Sequence, residues 1–259
     1  MASLKLYALH CGGDMMDMAL FDPFDPDTGT KVYNPYFMYV VTHPDGNLLF
    51  DSGAHPDLRT DPRSRLGDAS ADFELRLRPQ DHIEQRLGAI GLMPRDIDVV
   101  VQSHLHFDHA GGLGWLTHAP ILVQREELAF ARKPPVYQEL IYVQTDYGMD
   151  LDWRELEGDH DVFGDGRVNV IPTPGHTKGH QSLLVRLDRE CVFLLADAAY
   201  LLAKMRSRSL PGILWSPDAV IASWDRIEEI ERSERARLIT THALDYETSV
   251  KMAPDGWYE

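Results

Sequence analysis

The seven residues Ser103-His104-Leu105-His106-Phe107-Asp108-His109 bring three imidazoles and one carboxylate within reach of a single point. So many imidazoles in so short a run serve no packing purpose, and the fold must place them where polar side chains converge. Neutral imidazole and carboxylate oxygen are the ligands that Zn²⁺ and related divalent ions take when no thiolate is offered. Val99-Val100-Val101 lies just upstream and Gly111-Gly112 just downstream. The cluster therefore reads as a loop leaving the end of a buried strand, where α/β proteins usually place their chemistry.

Three more candidates each follow a strand-like run. His176 sits in Thr173-Pro174-Gly175-His176-Thr177, Asp197 ends the apolar stretch 191–196, and His242 follows Leu238-Ile239-Thr240-Thr241. Polar residues at strand ends can meet on one rim of a sheet sandwich whatever their separation in sequence. A tetrahedral ion needs about four ligands. The set His104, His106, Asp108, His109, His176, Asp197 and His242 thus suits two divalent ions with one carboxylate between them. Zinc is the first expectation, and the same donors accept Fe, Mn or Co. His43, His55, His82, His118 and His160 stand alone and read as surface or turn residues, and His10 differs little from them. His180 reads as a local hydrogen-bonding residue rather than a ligand.

Strand patterns fall at 4–9, 37–42, 48–50, 97–101, 121–123, 168–171, 182–187, 191–195 and 238–240. Helical spacing appears at 80–92 (Ile83, Leu87, Ile90), at 126–132, and at 217–233 (Val220, Ile221, Trp224, Ile227, Ile230). Strand blocks with interspersed helices in both halves indicate an α/β sandwich. The segment 134–161 mixes Tyr137, Tyr142, Tyr147 and Trp153 with acidic residues, which suits a helical insertion or lid and could support a homodimer.

The formal charge of −16 has the wrong sign for a nucleic-acid binder, which needs a basic face to displace counterions from phosphates. A neutral or weakly charged small molecule suits this field better. No run approaches the roughly 18 apolar residues of a membrane-spanning helix. Residues 1–7 lack the basic and apolar regions of a secretory leader, so a cytoplasmic protein is expected. Cys11 and Cys191 are isolated and offer neither a disulfide framework nor a thiolate site.

His104, His106, Asp108 and His109 match the HxHxDH motif of the metallo-β-lactamase superfamily, which the chain resembles over most of its length. His176 in Pro-Gly-His-Thr, Asp197 and His242 follow in the family's order, and Asp51-Ser52-Gly53 resembles its Asp-x-Gly turn. The resemblance implies residues 1–259 as a single αββα sandwich with a dinuclear site at one edge between the sheets. It implies one metal on His104, His106 and His176, the other on Asp108, His109 and His242, and Asp197 bridging. Asp51 would accept a hydrogen bond from a ligand imidazole and fix its tautomer.

Within the superfamily, zinc β-lactamases of the commonest type place Cys where this chain has Asp197, and they are secreted. Flavodiiron oxidoreductases carry Glu where His106 stands and add a flavin domain for which there is no room. Members that process transfer RNA or DNA act on polyanions. The chain is most similar to the N-acyl-homoserine lactone lactonases, through Phe107, through Ala110-Gly111-Gly112, and through Tyr200 three residues after Asp197. The stretch 173–183 is also similar to theirs, with Lys178 departing from the frequent Pro. The chemistry so implied is lactone ring opening. Two ions sharing one water depress its pKa toward neutrality, and the hydroxide attacks the carbonyl. Tyr200 would stabilise the oxyanion and Asp108 would carry the proton to the leaving oxygen. Met15, Met16, Met18 and Phe21 are candidates for the acyl-tail channel, with Phe73 and Trp215 behind them. The alternatives are another ester, thioester or lactone hydrolase of glyoxalase II type, a mono-iron sulfur dioxygenase, or a non-catalytic binding protein.

Overall fold

The computed structural model describes residues 3–259. One sheet contains β1 (Lys5–Asp17), β2 (Lys31–His43), β3 (Gly46–Phe50), β4 (Glu74–Arg76), β5 (Val99–Val101), β6 (Ile121–Gln124) and β7 (Trp153–Leu156). Its order is β4-β1-β2-β3-β5-β6-β7. The second contains β8 (His160–Asp161), β9 (Val168–Pro172), β10 (Gln181–Arg186), β11 (Cys191–Ala196) and β12 (Arg237–Thr240), in the order β12-β11-β10-β9-β8. β1, β2 and β3 pair antiparallel, whereas β3, β5, β6 and β7 run parallel, as do β11 and β12.

Strand side chains alternate between faces, and here both faces are apolar. Leu6, Ala8, Phe37, Tyr39, Val99 and Val101 point inward and meet Val168, Val170, Leu183, Val185 and Leu194 of the second sheet. On the outer face of the first sheet, Leu9, Met38, Val40 and Val100 pack with Ile83 and Leu87 of the helix Ile83–Ala89. On the outer face of the second, Leu184, Phe193 and Leu195 receive Val220, Trp224 and Ile227 of the helix Pro217–Glu234. That helix starts where its sequence directs. The Ser216 hydroxyl accepts from Ala219 N–H, and Pro217 occupies the first turn, where its missing donor costs nothing. The result is the expected αββα sandwich.

Three expectations need correction. β1 does not stop near residue 9: it continues through a bulge between His10 and Gly13 to Asp17. The helix expected at 80–92 is a 3₁₀ turn, Pro79–Asp81, followed by Ile83–Ala89. The segment 134–161 is helical only in its first part, at Glu139–Ile141 and Gln144–Tyr147, and then supplies β7 and β8, an edge strand for each sheet. Its aromatic residues misled because Tyr142 and Tyr147 are core residues, whereas Trp153 begins an edge strand. Among the described residues, no helix is long and apolar enough to cross a membrane.

Candidate metal centre

Every candidate ligand lies just past the C-terminal end of a strand. The run from Ser103 to His109 follows β5, His176 follows β9, Asp197 follows β11 and His242 follows β12. At this rim the interior turns polar. Gln181 N–H donates to Ser103 O at 3.0 Å, and its side-chain amide donates to the carbonyls of Gln102 and Leu122 at 2.9 and 3.1 Å, joining the two sheets. Two residues hold left-handed backbone here although neither is glycine: Asp51 at φ +60° and Ala196 at φ +46°. Such backbone costs roughly 1–2 kcal/mol per residue and clusters at functional sites. Gly175 has φ +145°, and a Cβ there would meet Val220 N at 2.6 Å, so the turn carrying His176 needs glycine.

The donor atoms form three groups, each within 4.8 Å: His104, His106 and His176; His104, His109 and Asp197; and Asp108, His109 and His242. Asp197 spans them. Its Oδ2 lies 3.4 Å from His176 Nε2 and 3.8 Å from His104 Nε2. Its Oδ1 lies 3.1 Å from His242 Nε2 and 3.3 Å from His109 Nε2. Asp108 Oδ2 lies 3.4 Å from His109 Nε2 and 3.8 Å from His242 Nε2.

The hydrogen-bond network assigns the tautomers. His109 donates through Nδ1 to Asp51 Oδ2 at 2.9 Å, and His242 donates through Nδ1 to Pro35 O at 2.8 Å. His176 Nδ1 lies 3.2 Å from Ile213 O, as a donor. Ser103 donates its hydroxyl to Asp51 Oδ2 at 2.8 Å and accepts from His104 Nδ1 at 2.9 Å. In each ring the distant nitrogen is therefore the donor, and Nε2 presents a lone pair to the centre. His106 enters the other way round, with Nδ1 3.0 Å from both His104 Nε2 and His176 Nε2. Lone pairs cannot hydrogen-bond one another, and among the described residues His109 Nε2 and Asp197 Oδ1 have no hydrogen-bond partner. Five imidazole lone pairs and two carboxylates turned inward are what divalent cations require, so the residues fit a two-metal site.

The electrostatics agree. Burial, then the neighbouring imidazoles, hold His104 and His106 well below the usual histidine range, so they are neutral. Burial opposes charge on His109, yet Asp108, Asp197 and Asp51 draw its pKa well above normal. Burial opposes charge on Asp197 as well, and His242 and His109 outweigh it. Asp197 and Asp108 raise His242 against burial in the same way, so in the absence of cations these two rings hold protons that bound ions would displace, and the centre attracts positive charge. Tyr200 is buried, with its hydroxyl 3.3 Å from His176 Nδ1. Burial, then the charges of Asp197 and Asp108, push its phenol up, so it keeps its proton. His180 stays outside the donor set: its Nδ1 lies 2.9 Å from Thr173 Oγ1, and its Nε2 accepts from Asp197 N–H at 3.1 Å.

A cleft opens onto the centre past His106, Asp108, His176, Asp197, Tyr200 and His242. Of the four tail-channel candidates, Met16 lines it. Met18 and Phe21 lie behind it against Tyr200, with the Phe21 ring 5.7 Å from the Tyr200 ring. Met15 is not among the lining residues: strand alternation puts it on the opposite face from Met16, paired with Glu74 of β4. Phe73 lines the cleft and Trp215 does not, and Leu20, Ile141 and Ile213 complete the apolar wall. Sequence reasoning also missed Glu127. Its buried carboxylate accepts from Leu105 N–H (3.0 Å), the Tyr142 hydroxyl (2.9 Å), the Thr177 hydroxyl (2.5 Å) and Gly179 N–H (3.3 Å). It clamps the loop of His104 and His106 to the turn of His176. A Glu facing the core in the helix Arg125–Arg132 was the available signal.

The fold and the sequence are similar to those of known proteins. The sequence pattern of the metallo-beta-lactamase superfamily matches residues 34–242. The chain belongs to that superfamily. Within it, the chain is 32% identical to the N-acyl homoserine lactonase AttM of Azorhizobium caulinodans over 100% of both chains. It is 28% identical to the N-acyl homoserine lactonase AiiA of Bacillus thuringiensis subsp. kurstaki, over 97% of this chain and 98% of that one. A solved N-acyl homoserine lactone hydrolase, with the product N-hexanoyl-L-homoserine bound at its catalytic metal centre, superposes with a TM-score of 0.86. It is 28% identical and is matched over 99% of this chain and 100% of its own.

Proposed function

We propose that the protein is a dinuclear metal hydrolase that opens the ring of N-acyl homoserine lactones, and that its ions are zinc. The observation that carries this reading is the division of Asp197, with Oδ2 turned to His176 and His104 and Oδ1 to His242 and His109. His104, His106 and His176 would hold one ion, Asp108, His109 and His242 the other, with Asp197 shared. Bound there, two divalent ions supply Lewis acidity and a water acidified toward neutral pH.

The chain's own residues do the rest. Tyr200, held protonated, donates its phenolic hydrogen to the oxygen on which charge develops as the carbonyl is attacked. Asp108 lines the cleft and is the most exposed member of the donor set, so its carboxylate can carry a proton from the attacking water to the departing ring oxygen. Asp51, through His109 and through Ser103 to His104, keeps two imidazoles in the ligating tautomer. The apolar wall of Met16, Leu20, Phe73, Ile141 and Ile213 takes the acyl tail and excludes water. A cytoplasmic location belongs to the same reading. So does a homodimer built on the exposed Val136, Tyr137 and Leu140, which light scattering tests directly.

The deciding experiment counts metals on the purified protein and assays it with hexanoyl- and decanoyl-homoserine lactone. Two ions per chain and ring-opened products one water heavier are expected. Cleavage of glutathione thioesters with lactones left untouched would move the protein to the glyoxalase II type. One iron per chain with oxygen consumption would make it a dioxygenase.

A further inference from the structure

Away from the candidate metal donors and Tyr200, the wall of the cleft is apolar except at one place. Asp14 and Asn34 face each other as a cross-strand pair between β1 and β2, and Tyr36 follows two residues on, on the same face as Asn34. All three line the cleft although they are nearly inaccessible, at 1%, 5% and 1% exposure. The Asn34 amide nitrogen donates to Asp14 Oδ1 at 2.9 Å, and among the described residues Asn34 Oδ1 is left as an acceptor without a partner. Among the described residues the Tyr36 hydroxyl makes no hydrogen bond of ordinary distance and angle, although the Asp14 carboxylate lies close enough to attract its hydrogen. Between these two residues, Pro35 O accepts the Nδ1 hydrogen of His242, so the polar trio sits beside the Asp108, His109 and His242 half of the centre. The Tyr36 ring stands edge-on to His242 at 6.1 Å and to Phe107 at 6.2 Å.

Buried polar groups left unpaired are costly, so a cleft made to hold plain hydrocarbon would not carry them. We infer that Asp14, Asn34 and Tyr36 form a subsite for a hydroxyl group borne by the lactone substrate close to its ring. This inference rests on the lactonase reading above and names the substrate within it. A hydroxyl both donates and accepts at one atom, so it can give its hydrogen to Asn34 Oδ1 while receiving the Tyr36 hydrogen, for which it competes with the poorly aligned Asp14 carboxylate. An amide cannot do both at one spot, because its N–H and C=O point in opposite directions. A ketone accepts from Tyr36 but turns its oxygen toward the oxygen of Asn34. A methylene satisfies neither group. The hydroxyl can sit on the acyl chain near the amide or on the lactone ring itself.

The test uses the zinc-loaded full chain and two matched sets of substrates. N-Hexanoyl-, N-(3-hydroxyhexanoyl)- and N-(3-oxohexanoyl)-homoserine lactone probe the chain. γ-Butyrolactone and β-hydroxy-γ-butyrolactone probe the ring. In one set the hydroxylated lactone should exceed its unsubstituted partner in kcat/KM by at least about 10-fold, and the set that shows it identifies the source. Asn34→Leu and Tyr36→Phe should each reduce that ratio to within about 2-fold of unity, whatever the absolute rate of the variant. For a variant too slow to assay, the same ratio is read from calorimetric Kd values of the ring-opened products. Ratios near unity in both sets with wild type, or a preference that survives both substitutions, would overturn the subsite and leave the lactonase reading standing. A metal-loaded protein inert toward every lactone would overturn both together.

Discussion

The role proposed for Tyr200 is separable from metal binding, because its hydroxyl is not in the donor set although it lies 3.3 Å from the His176 ring. Tyr200→Phe should lower kcat by about 10²-fold, in the range seen when one oxyanion donor is lost. Metal content should stay at two per chain, and a rate within about 3-fold of wild type would remove Tyr200 from the chemistry. His10 makes the opposite case of a histidine with a structural role. It stacks on Tyr246 with ring centroids 5.0 Å apart and lies 3.0 Å from the Tyr33 hydroxyl, and burial lowers its pKa from 6.5 to about 4. The folded state therefore disfavours the imidazolium. Its contribution is fully present above pH 6.5 and is lost as pH falls toward 4. Urea titrations of wild type and His10→Gln across that window should show wild type losing up to about 3 kcal/mol more than the variant.

At the scale of elements, the loop after β5 and the turn after β9 are far apart in sequence and are brought into register by one carboxylate. Burial raises the pKa of Glu127, and four donors from different segments offset that cost. Glu127→Ala would leave those donors buried without an acceptor. It should cost about 3–5 kcal/mol in urea unfolding and weaken metal retention, since His104, His106 and His176 lose their common anchor. A loss under about 1 kcal/mol would mean that the two loops hold their places without it. The strands on either side need no such device, because alternate apolar residues specify which face each presents. This is why the expected strands and the helix Pro217–Glu234 were legible in the sequence. The continuation of β1 past its bulge was not, because Gly12, Gly13 and Asp14 carry no alternating pattern.

For the whole molecule, five imidazoles and the carboxylates of Asp108 and Asp197 turned toward one another make the centre a place where cations bind the folded chain. Ions that bind the folded chain and not the unfolded one raise stability by mass action, by about 2.7 kcal/mol at 100 times Kd. Treatment with a chelator should therefore lower Tm by several degrees, and two equivalents of zinc should restore it, as followed by calorimetry. An unchanged Tm would mean the rim is held by its hydrogen bonds alone.

The convergence of His104, His106, Asp108, His109, His176, Asp197 and His242 is readable in the sequence alone, because metal chemistry needs particular side chains and strand ends are marked by apolar runs. The αββα class and the place of Tyr200 follow from the same marks together with the family resemblance. Other features exist only once the sheets have packed. These include the two-sided reach of Asp197, the clamp of Glu127, the choice of Met16 over Met15 for the cleft, and the open Asn34 Oδ1 beside Tyr36. The physical reason is that a side chain's type is a local property. Its partners, burial and protonation are set by what another strand, distant in the chain, brings within about 3 Å.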